Sequence, residues 1–180
     1  MRVISGIARG RKLLAPEGIS TRPTSDRAKE ALFNIINLQI RNKIVLDLFS
    51  GSGALGIEAL SRGADFCIFV ENDPVAADII RKNLTATGFL DKSAVFVCDA
   101  YGYLKSCNKV FDYIFMDPPY GKDLIPPAIE LISGNNLLSD NGNIIVETEN
   151  TEILPTDISG IVLTESRKYG KALLNFYKKS

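Results

Sequence analysis

The stretch from Val45 to Gly56, with the sequence VLDLFSGSGALG, decides the fold of this chain. It begins as an apolar strand, reaches an acidic residue at Asp47, passes through a glycine-rich loop and continues as a helix from about Ala54. Glycine between a strand and a helix allows a tight turn and a close approach of the helix to the strand. The stretch therefore predicts the first strand–loop–helix unit of an α/β domain.

Short apolar runs alternate with helical stretches through the middle of the chain. The predicted strands are Ile44–Leu46, Phe66–Val70, Ala94–Val97, Tyr113–Met116 and Ile144–Val146, and the predicted helices begin near Ala54, Pro74 and Pro126, with a short one after Val97. Strands that alternate with helices form a parallel sheet covered by helices on both faces. We therefore predict a doubly wound, mostly parallel α/β sheet.

The two ends of the chain add smaller elements. Alternating apolar residues near the N-terminus suggest a β-hairpin, and an amphipathic helix that Thr24 would cap follows it and ends near Gln39. Two extended segments at the C-terminus, Ile158–Glu165 and Ala172–Tyr177, lie close enough in sequence to pair antiparallel. A seven-stranded, mostly parallel sheet that ends in an antiparallel hairpin is typical of class I, Rossmann-like methyltransferases.

Composition excludes several kinds of chemistry. The 180 residues include no histidine, which excludes an imidazole base, a Ser-His-Asp triad and a His-ligated metal. The three cysteines lack C-x-x-C spacing and are expected to be reduced thiols. No apolar run approaches the roughly 18 residues of a membrane span, and the start of the chain does not resemble a signal peptide. We expect a soluble, cytoplasmic protein that contacts no membrane.

Charge is distributed unevenly although the net charge is zero. Residues 1–30 hold seven Lys/Arg and three Asp/Glu, residues 166–180 hold five Lys/Arg and no acid, and residues 31–165 hold nine Lys/Arg and 18 Asp/Glu. Such runs are often only solvated surface charge. If the two basic ends meet on one face, however, they form a phosphate-binding patch beside an acidic pocket.

The glycine loop, with Gly51 and Gly53, fits two kinds of ligand when taken alone: a dinucleotide or S-adenosylmethionine. Asp47, just before the loop, would repel a pyrophosphate and attract an ammonium group. Glu71 ends the second strand, where it can accept from ribose hydroxyls, and Asp99 follows the third strand, where it can accept from an adenine amine. Either carboxylate alone is explained as a helix cap, but their order along the strands favours S-adenosylmethionine.

The motif Asp117-Pro118-Pro119-Tyr120 follows the fourth strand and is predicted to lie beside the glycine loop. Consecutive prolines stiffen this loop. The Asp117 carboxylate and the Pro118 carbonyl could accept from the two N–H groups of an exocyclic base amine and so orient it for methyl transfer, while Tyr120 stacks on the base. Because adenine and guanine both offer such an amine, this loop alone does not distinguish them.

The sequence resembles the RsmD family of small-subunit (16S) ribosomal RNA guanine-N2 methyltransferases over nearly its whole length. The most specific matches are the N-terminal blocks Arg2–Gly6, Ala8–Arg11, Thr21–Thr24 and Asp26–Asn34, followed by Asp47–Ala59, Asp117–Tyr120 and Tyr169-Gly170. The glycine loop and the Asp-Pro-Pro-Tyr motif also occur in adenine-N6 and glutamine-N5 methyltransferases. They therefore specify the chemistry more closely than the substrate.

The resemblance implies transfer of a methyl group from S-adenosylmethionine to N2 of a guanine in 16S rRNA, within an assembled or partly assembled small ribosomal subunit and without a metal. Arg9, Arg11 and Arg22 look like RNA-binding residues. Residues 1–20 then form an RNA-positioning extension and residues 21–180 the methyltransferase domain. A DNA adenine-N6 or protein glutamine-N5 methyltransferase, a non-catalytic binding module for S-adenosylmethionine or RNA, and a nicotinamide dehydrogenase remain alternatives.

Overall fold

The strands of this chain form one eight-stranded sheet in the computed structural model, which describes residues 1–16, 26–119, 121 and 123–180. The strands are β1 (Ile44–Leu48), β2 (Phe66–Glu71), β3 (Ser93–Val97), β4 (Phe111–Met116), β5 (Leu138–Glu149), β6 (Asp157–Ile158), β7 (Ile161–Tyr169) and β8 (Ala172–Lys179). Their spatial order is β3-β2-β1-β4-β5-β8-β7-β6. The first five are parallel and the last three antiparallel, which confirms the predicted fold class.

Five α-helices cover the two faces of the sheet in the described ranges. They are α1 (Asp26–Ile36), α2 (Ala54–Ser61), α3 (Pro74–Thr87), α4 (Ala100–Ser106) and α5 (Ile125–Gly134). One buried cluster joins one face of the sheet to α1, α2 and α3, and a second cluster joins the opposite face to α4 and α5. Apolar strand residues are buried on both faces because each face carries helices.

Local sequence explains where the helices begin and end. Asp73 caps α3 by accepting a hydrogen bond from Val75 N at 2.9 Å, Pro74 occupies the first turn, and Gly88 ends the helix with φ 77°. The first helix ends at Ile36, and a 3₁₀ turn, Asn37–Ile40, carries the chain on past the end predicted near Gln39. Thr24, the predicted cap of α1, lies outside the described residues.

Two predicted extended segments differ in the structure. The segment Ile158–Glu165 was predicted as one strand but is split between β6 and β7, because Ser159 and Gly160 turn the chain with φ 52° and 80°. The turn between β7 and β8 is tight: β7 continues to Tyr169, which pairs with Ala172, so only Gly170 and Lys171 lie between the two strands. Strand β6 is thus an addition to the seven strands that the sequence predicts.

The N-terminal extension folds back on itself, but its β-pairing amounts to one antiparallel bridge, Arg2 with Lys12. Backbone hydrogen bonds join Val3 N to Arg11 O at 3.0 Å and Leu13 N to Met1 O at 3.1 Å. The bonds of the extension to the rest of the protein go mainly to α2, with others to Lys29 of α1 and Asn83 of α3, rather than to a second strand. Residues 1–16 therefore form a folded-back arm with little sheet of its own.

Gly56 sets the distance between α2 and β2. A Cβ at this position would overlap the ring of Phe69 and lie 2.6 Å from Cys67 Sγ, and both of these side chains are fully buried. Because a packed core has no room for an added methyl group, α2 can approach the sheet this closely only with glycine here.

We predict that Gly56→Ala lowers the free energy of unfolding by about 1–3 kcal/mol, the usual cost of overpacking a core. Gly134→Ala is the matched control, because its Cβ would meet no atom within 4 Å at the end of α5. It should leave stability unchanged or slightly higher. Chemical denaturation of both variants provides the measurement, and an equal effect of the two substitutions would contradict the packing role of Gly56.

Candidate active site

A cavity of about 540 Å³ opens at the carboxyl edge of the parallel strands. Its lining comes from the loops that follow β1, β2, β3 and β4, together with the N-terminal arm. The residues are Met1, Ala15, Pro16, Asp47, Phe49, Ser50, Gly51, Ser52, Ala54, Leu55, Val70, Glu71, Asn72, Asp73, Ala76, Cys98, Asp99, Ala100, Tyr101, Asp117, Pro119 and Leu124. The cavity therefore brings together the predicted cofactor residues Asp47, Gly51, Glu71 and Asp99 with Asp117 and Pro119 of the predicted catalytic loop.

The glycine loop has a constrained backbone that Ser50 supports. Phe49, Gly51 and Gly53 have φ of 63°, 55° and 76°, and a left-handed φ costs a phenylalanine about 1–2 kcal/mol. The Ser50 hydroxyl donates to Asp47 O at 2.6 Å and accepts from Val70 N at 3.0 Å, which ties the end of β1 to β2. Strained backbone held by its surroundings is common at functional sites.

The N–H groups of three glycines in this loop are already hydrogen-bonded within the protein. Gly51 N donates to Glu71 Oε2 at 2.7 Å, and Gly56 N donates to Asp47 Oδ2 at 2.9 Å. Gly53 N donates to the Ser50 carbonyl at 2.7 Å. These three N–H groups are therefore engaged within the protein, and a pyrophosphate at this loop would also meet two carboxylates, which disfavours a dinucleotide.

Asp47 is the most deeply buried acid of the cavity lining, with 2% of its surface exposed. Burial raises the pKa of its carboxyl group well above the usual value, and the negative charges of Asp117 and Glu71 raise it further, while the hydrogen bond from Gly56 lowers it. A carboxylate held in such surroundings favours a cationic ligand, because a positive charge offsets the cost of ionising it.

Glu71 and Asp99 have structural roles as well as positions on the cavity. Glu71 Oε1 accepts from Asp73 N at 3.0 Å, so its two oxygens hold the glycine loop and the start of α3. Asp99 caps α4 by accepting from Gly102 N at 2.8 Å. Each carboxylate oxygen offers two acceptor sites, so these bonds leave capacity for a ligand. The cap and the ligand contact are thus compatible.

The predicted catalytic loop leaves the sheet beside the glycine loop. In the parallel pairing of β1 with β4, Leu48 lies opposite Met116, so the next residues of both strands emerge together. Asp117 is half-buried, Pro118 is buried and Pro119 is exposed. Tyr120 lies outside the described residues.

Two of the predicted RNA-binding arginines, Arg9 and Arg11, are not part of the cavity lining. Arg9 and Arg11 are exposed on the N-terminal arm, whose tip is fixed to the last turn of α2 by Ile7 N bonding to Ser61 O at 2.9 Å. Helix α2 starts at the glycine loop and runs for eight residues, so its ends lie about 12 Å apart. Arg22 lies outside the described residues.

A family model described as "Conserved hypothetical protein 95" matches residues 1–178. The chain belongs to this family. Curated relatives include the ribosomal RNA small subunit methyltransferase D of Haemophilus influenzae, 40% identical over 92% of this chain and 87% of the relative. The protein of the same name from Escherichia coli K12 is 36% identical over 99% of this chain and 90% of its own length. These relatives confirm the resemblance to the RsmD family.

Solved structures of similar sequence share the fold of this family member. The structure of yhhF from Escherichia coli, which is provisionally described as a methyltransferase, has a TM-score of 0.88 and 36% identity, and the match covers 100% of this chain and 98% of yhhF.

Among the described residues, none of the helices has the length and apolar character that a membrane span requires.

Several cavity residues were missed by sequence reasoning. Met1, Ala15 and Pro16 form part of the wall, although nothing in their types indicates a ligand site. Tyr101 donates to Leu124 O at 3.0 Å and so joins the start of α4 to the segment before α5. These contacts depend on how distant segments meet, which local patterns do not report.

A second cavity, of about 520 Å³, lies beside the predicted catalytic loop and has acidic walls. Asp123, Glu149 and Glu152 line it, and burial raises the pKa of the Glu152 carboxyl group, with the charges of Asp123 and Glu149 raising it further. Such walls repel phosphate, so an RNA backbone would avoid this side of the loop.

We predict that Asp47→Asn stabilises the protein at neutral pH and that its advantage over the wild type grows with pH. Because the pKa of Asp47 is raised on folding, the wild type loses stability as the pH rises from about 4, the ordinary aspartate value, through the higher pKa of the folded state. Asparagine does not ionise, and its amide oxygen can still accept from Gly56.

Thermal unfolding at about pH 5 and about pH 8 measures this difference. Asp91→Asn is the control, since Asp91 is exposed and its charge stays in water. A difference in Tm between Asp47→Asn and the wild type that does not change with pH would show that ionisation of Asp47 costs no stability.

Proposed function

We propose that this protein transfers a methyl group from S-adenosylmethionine to the exocyclic N2 amine of a guanine in 16S ribosomal RNA. The observation that carries the proposal is the meeting of Asp117 with Asp47, Glu71 and Asp99 around one cavity. The names of the two curated relatives, both ribosomal RNA small subunit methyltransferase D, support ribosomal RNA as the substrate.

The residues of the cavity fit S-adenosylmethionine. The volume of about 540 Å³ lies within the usual range for small-molecule sites. Asp47 would hold the ammonium side of the ligand, Glu71 its ribose hydroxyls and Asp99 its adenine amine, while Gly51 and Gly53 give the loop its shape. The glycine N–H groups already bond to protein acceptors, so they do not bind a pyrophosphate. This favours the cationic S-adenosylmethionine over a dinucleotide. When bound, the ligand supplies an electrophilic sulfonium methyl group.

The catalytic loop is proposed to orient the base amine. The lone pair of an exocyclic amine is delocalised into the ring, so the nitrogen becomes a better nucleophile when acceptors hold its two N–H groups out of the plane. The Asp117 carboxylate and the Pro118 carbonyl are the proposed acceptors, and Asp117 also stabilises the positive charge that develops on the nitrogen. Pro118 and Pro119 keep the loop rigid, and Tyr120 is proposed to stack on the base.

Residues 1–20 are proposed to position the RNA, and residues 21–180 to form the methyltransferase domain. Exposed arginines on the arm can bind phosphates, which gives affinity and orientation without reading the sequence. Because Arg9 and Arg11 lie outside the cavity lining, they can contact parts of a folded RNA other than the target base. We propose an assembled or partly assembled small ribosomal subunit as the substrate, which places the reaction in the cytoplasm, and a role for Arg22 in binding the same RNA.

The direct test is transfer of radiolabel from S-adenosylmethionine to small ribosomal subunits that lack the modification, followed by digestion to nucleosides. Naked rRNA, DNA and protein acceptors are assayed beside them. The expected product is N2-methylguanosine. Label in N6-methyladenine or in glutamine would replace the proposed substrate by one of the alternatives, and tight cofactor binding without any transfer would favour a binding module.

We predict that Asp117→Ala lowers the rate of methyl transfer at least about 100-fold, the usual cost of removing one group that stabilises developing charge. Binding of cofactor and of RNA should change little. Asp140→Ala is the matched control, because Asp140 is exposed on β5, where its carboxylate pairs with Lys179 at 3.0 Å. Equal rates for Asp117→Ala and the control would exclude Asp117 from the reaction.

We predict that replacing Arg9 and Arg11 together by alanine weakens RNA binding and makes it less sensitive to salt. Each lost phosphate contact should lower the slope of log affinity against log salt by roughly 0.7–0.9. Arg81→Ala is the control, since Arg81 is an exposed arginine on α3 already paired with Asp78. Binding curves at several salt concentrations give the slopes, and an unchanged slope in the double variant would rule out these phosphate contacts.

A further inference from the structure

Asn83 is a buried polar side chain of α3 with three hydrogen bonds to two distant segments. Only 1% of its surface is exposed. Its amide nitrogen donates to Leu14 O and to Ser52 O, both at 3.0 Å, and its amide oxygen accepts from Leu14 N at 2.8 Å. One side chain therefore joins the N-terminal arm to the glycine loop.

Both segments held by Asn83 border the cofactor cavity. Leu14 is followed directly by Ala15 and Pro16, which line the cavity, and Ser52 itself lies in the lining between the two glycines of the loop. Met1 completes the arm's share of the wall, and its Sδ accepts from Ser52 Oγ at 3.7 Å. The arm thus closes one side of the site only while it is held against the glycine loop.

The rest of the arm is anchored independently of Asn83. Glu58, fully buried on α2, accepts from Ile4 N at 2.8 Å and from Ser5 N at 3.0 Å, and Ala8 N donates to Ser61 Oγ at 3.0 Å. These bonds hold the arm to the middle and end of α2. Loss of the Asn83 side chain should therefore release residues 14–16 from the cavity while the tip of the arm stays attached.

We infer that Asn83 is a positioning residue, which fixes the end of the arm as a wall of the cofactor cavity and so strengthens cofactor binding. The inference rests on the proposed function, in which this cavity binds S-adenosylmethionine. Because the tip of the arm, with Arg9 and Arg11, keeps its own bonds to α2, RNA binding should not depend on Asn83.

The test compares Asn83→Ala with Leu84→Ala. Leu84 is the next residue of α3, is fully buried and packs in the core on the same face of the sheet, so its loss costs stability while every hydrogen bond of Asn83 can remain. Calorimetry with S-adenosylhomocysteine gives the cofactor Kd of each variant, and binding of small-subunit rRNA is measured beside it. Asn83→Ser, with a smaller loss of polar character, is measured as a second variant if Asn83→Ala does not fold.

We predict that Asn83→Ala weakens binding of S-adenosylhomocysteine about tenfold, because residues 14–16 must then be ordered against the glycine loop at the expense of binding free energy. Leu84→Ala should keep the wild-type Kd. In turnover, Asn83→Ala should raise KM for S-adenosylmethionine more than it lowers kcat. Loss of stability alone would affect both variants.

Two results would overturn the inference: wild-type cofactor affinity in Asn83→Ala, or equal changes of affinity in Asn83→Ala and Leu84→Ala. The readout is independent of which base is methylated, so an error in the proposed guanine substrate leaves this test intact. If the wild-type protein itself did not bind S-adenosylhomocysteine, the proposed function would fail and this inference with it.

Discussion

The hydrogen bond from Gly56 N to the buried Asp47 carboxylate is the interaction on which the site depends. It closes the turn between β1 and α2, and it requires α2 to lie so close to the sheet that only glycine fits at position 56. Together with the bond from Gly51 to Glu71, it turns the donors of the glycine loop inward. Carboxylates of Asp47, Glu71, Asp73, Asp99 and Asp117 line the cavity, and this concentration of acids disfavours the pyrophosphate of a dinucleotide.

Helix α2 supports the N-terminal arm as well as the cofactor cavity. Its outer face would be exposed in a bare α/β sheet, but here all its residues are buried. The arm covers this outer face and bonds to Glu58 there. A buried carboxylate such as Glu58 is tolerated only when hydrogen-bond donors surround it. Backbone N–H groups of the arm and the Arg62 side chain, at 2.8 Å, supply these donors, and the Lys29 ammonium adds a positive charge at 3.8 Å. The arm and the methyltransferase sheet therefore share one buried polar centre.

The sequence predicted the fold where the pattern is local. Apolar runs located the strands, and an acidic residue at each of several strand ends located the edge of the site. The split of Ile158–Glu165 was missed because Ile158 and Ile161 both look like strand residues, and only the left-handed φ of Ser159 and Gly160 reveals the turn. The hairpin was predicted too regular, since the arm bonds mainly to α2.

Asn83 shows why the remainder of the site could not be predicted. It lies three residues after Ile80 on the apolar stripe of α3, and a polar residue at such a core position indicates that its side chain has hydrogen-bond partners. Its partner Leu14, however, is 69 residues away, and no local pattern links the two. The buried amide makes its three hydrogen bonds only when Leu14 and Ser52 are both in place. The contact that assembles the cavity wall therefore could not be predicted from local sequence. A buried amide of this kind specifies one arrangement of arm and loop, because any other would leave its polar atoms without partners.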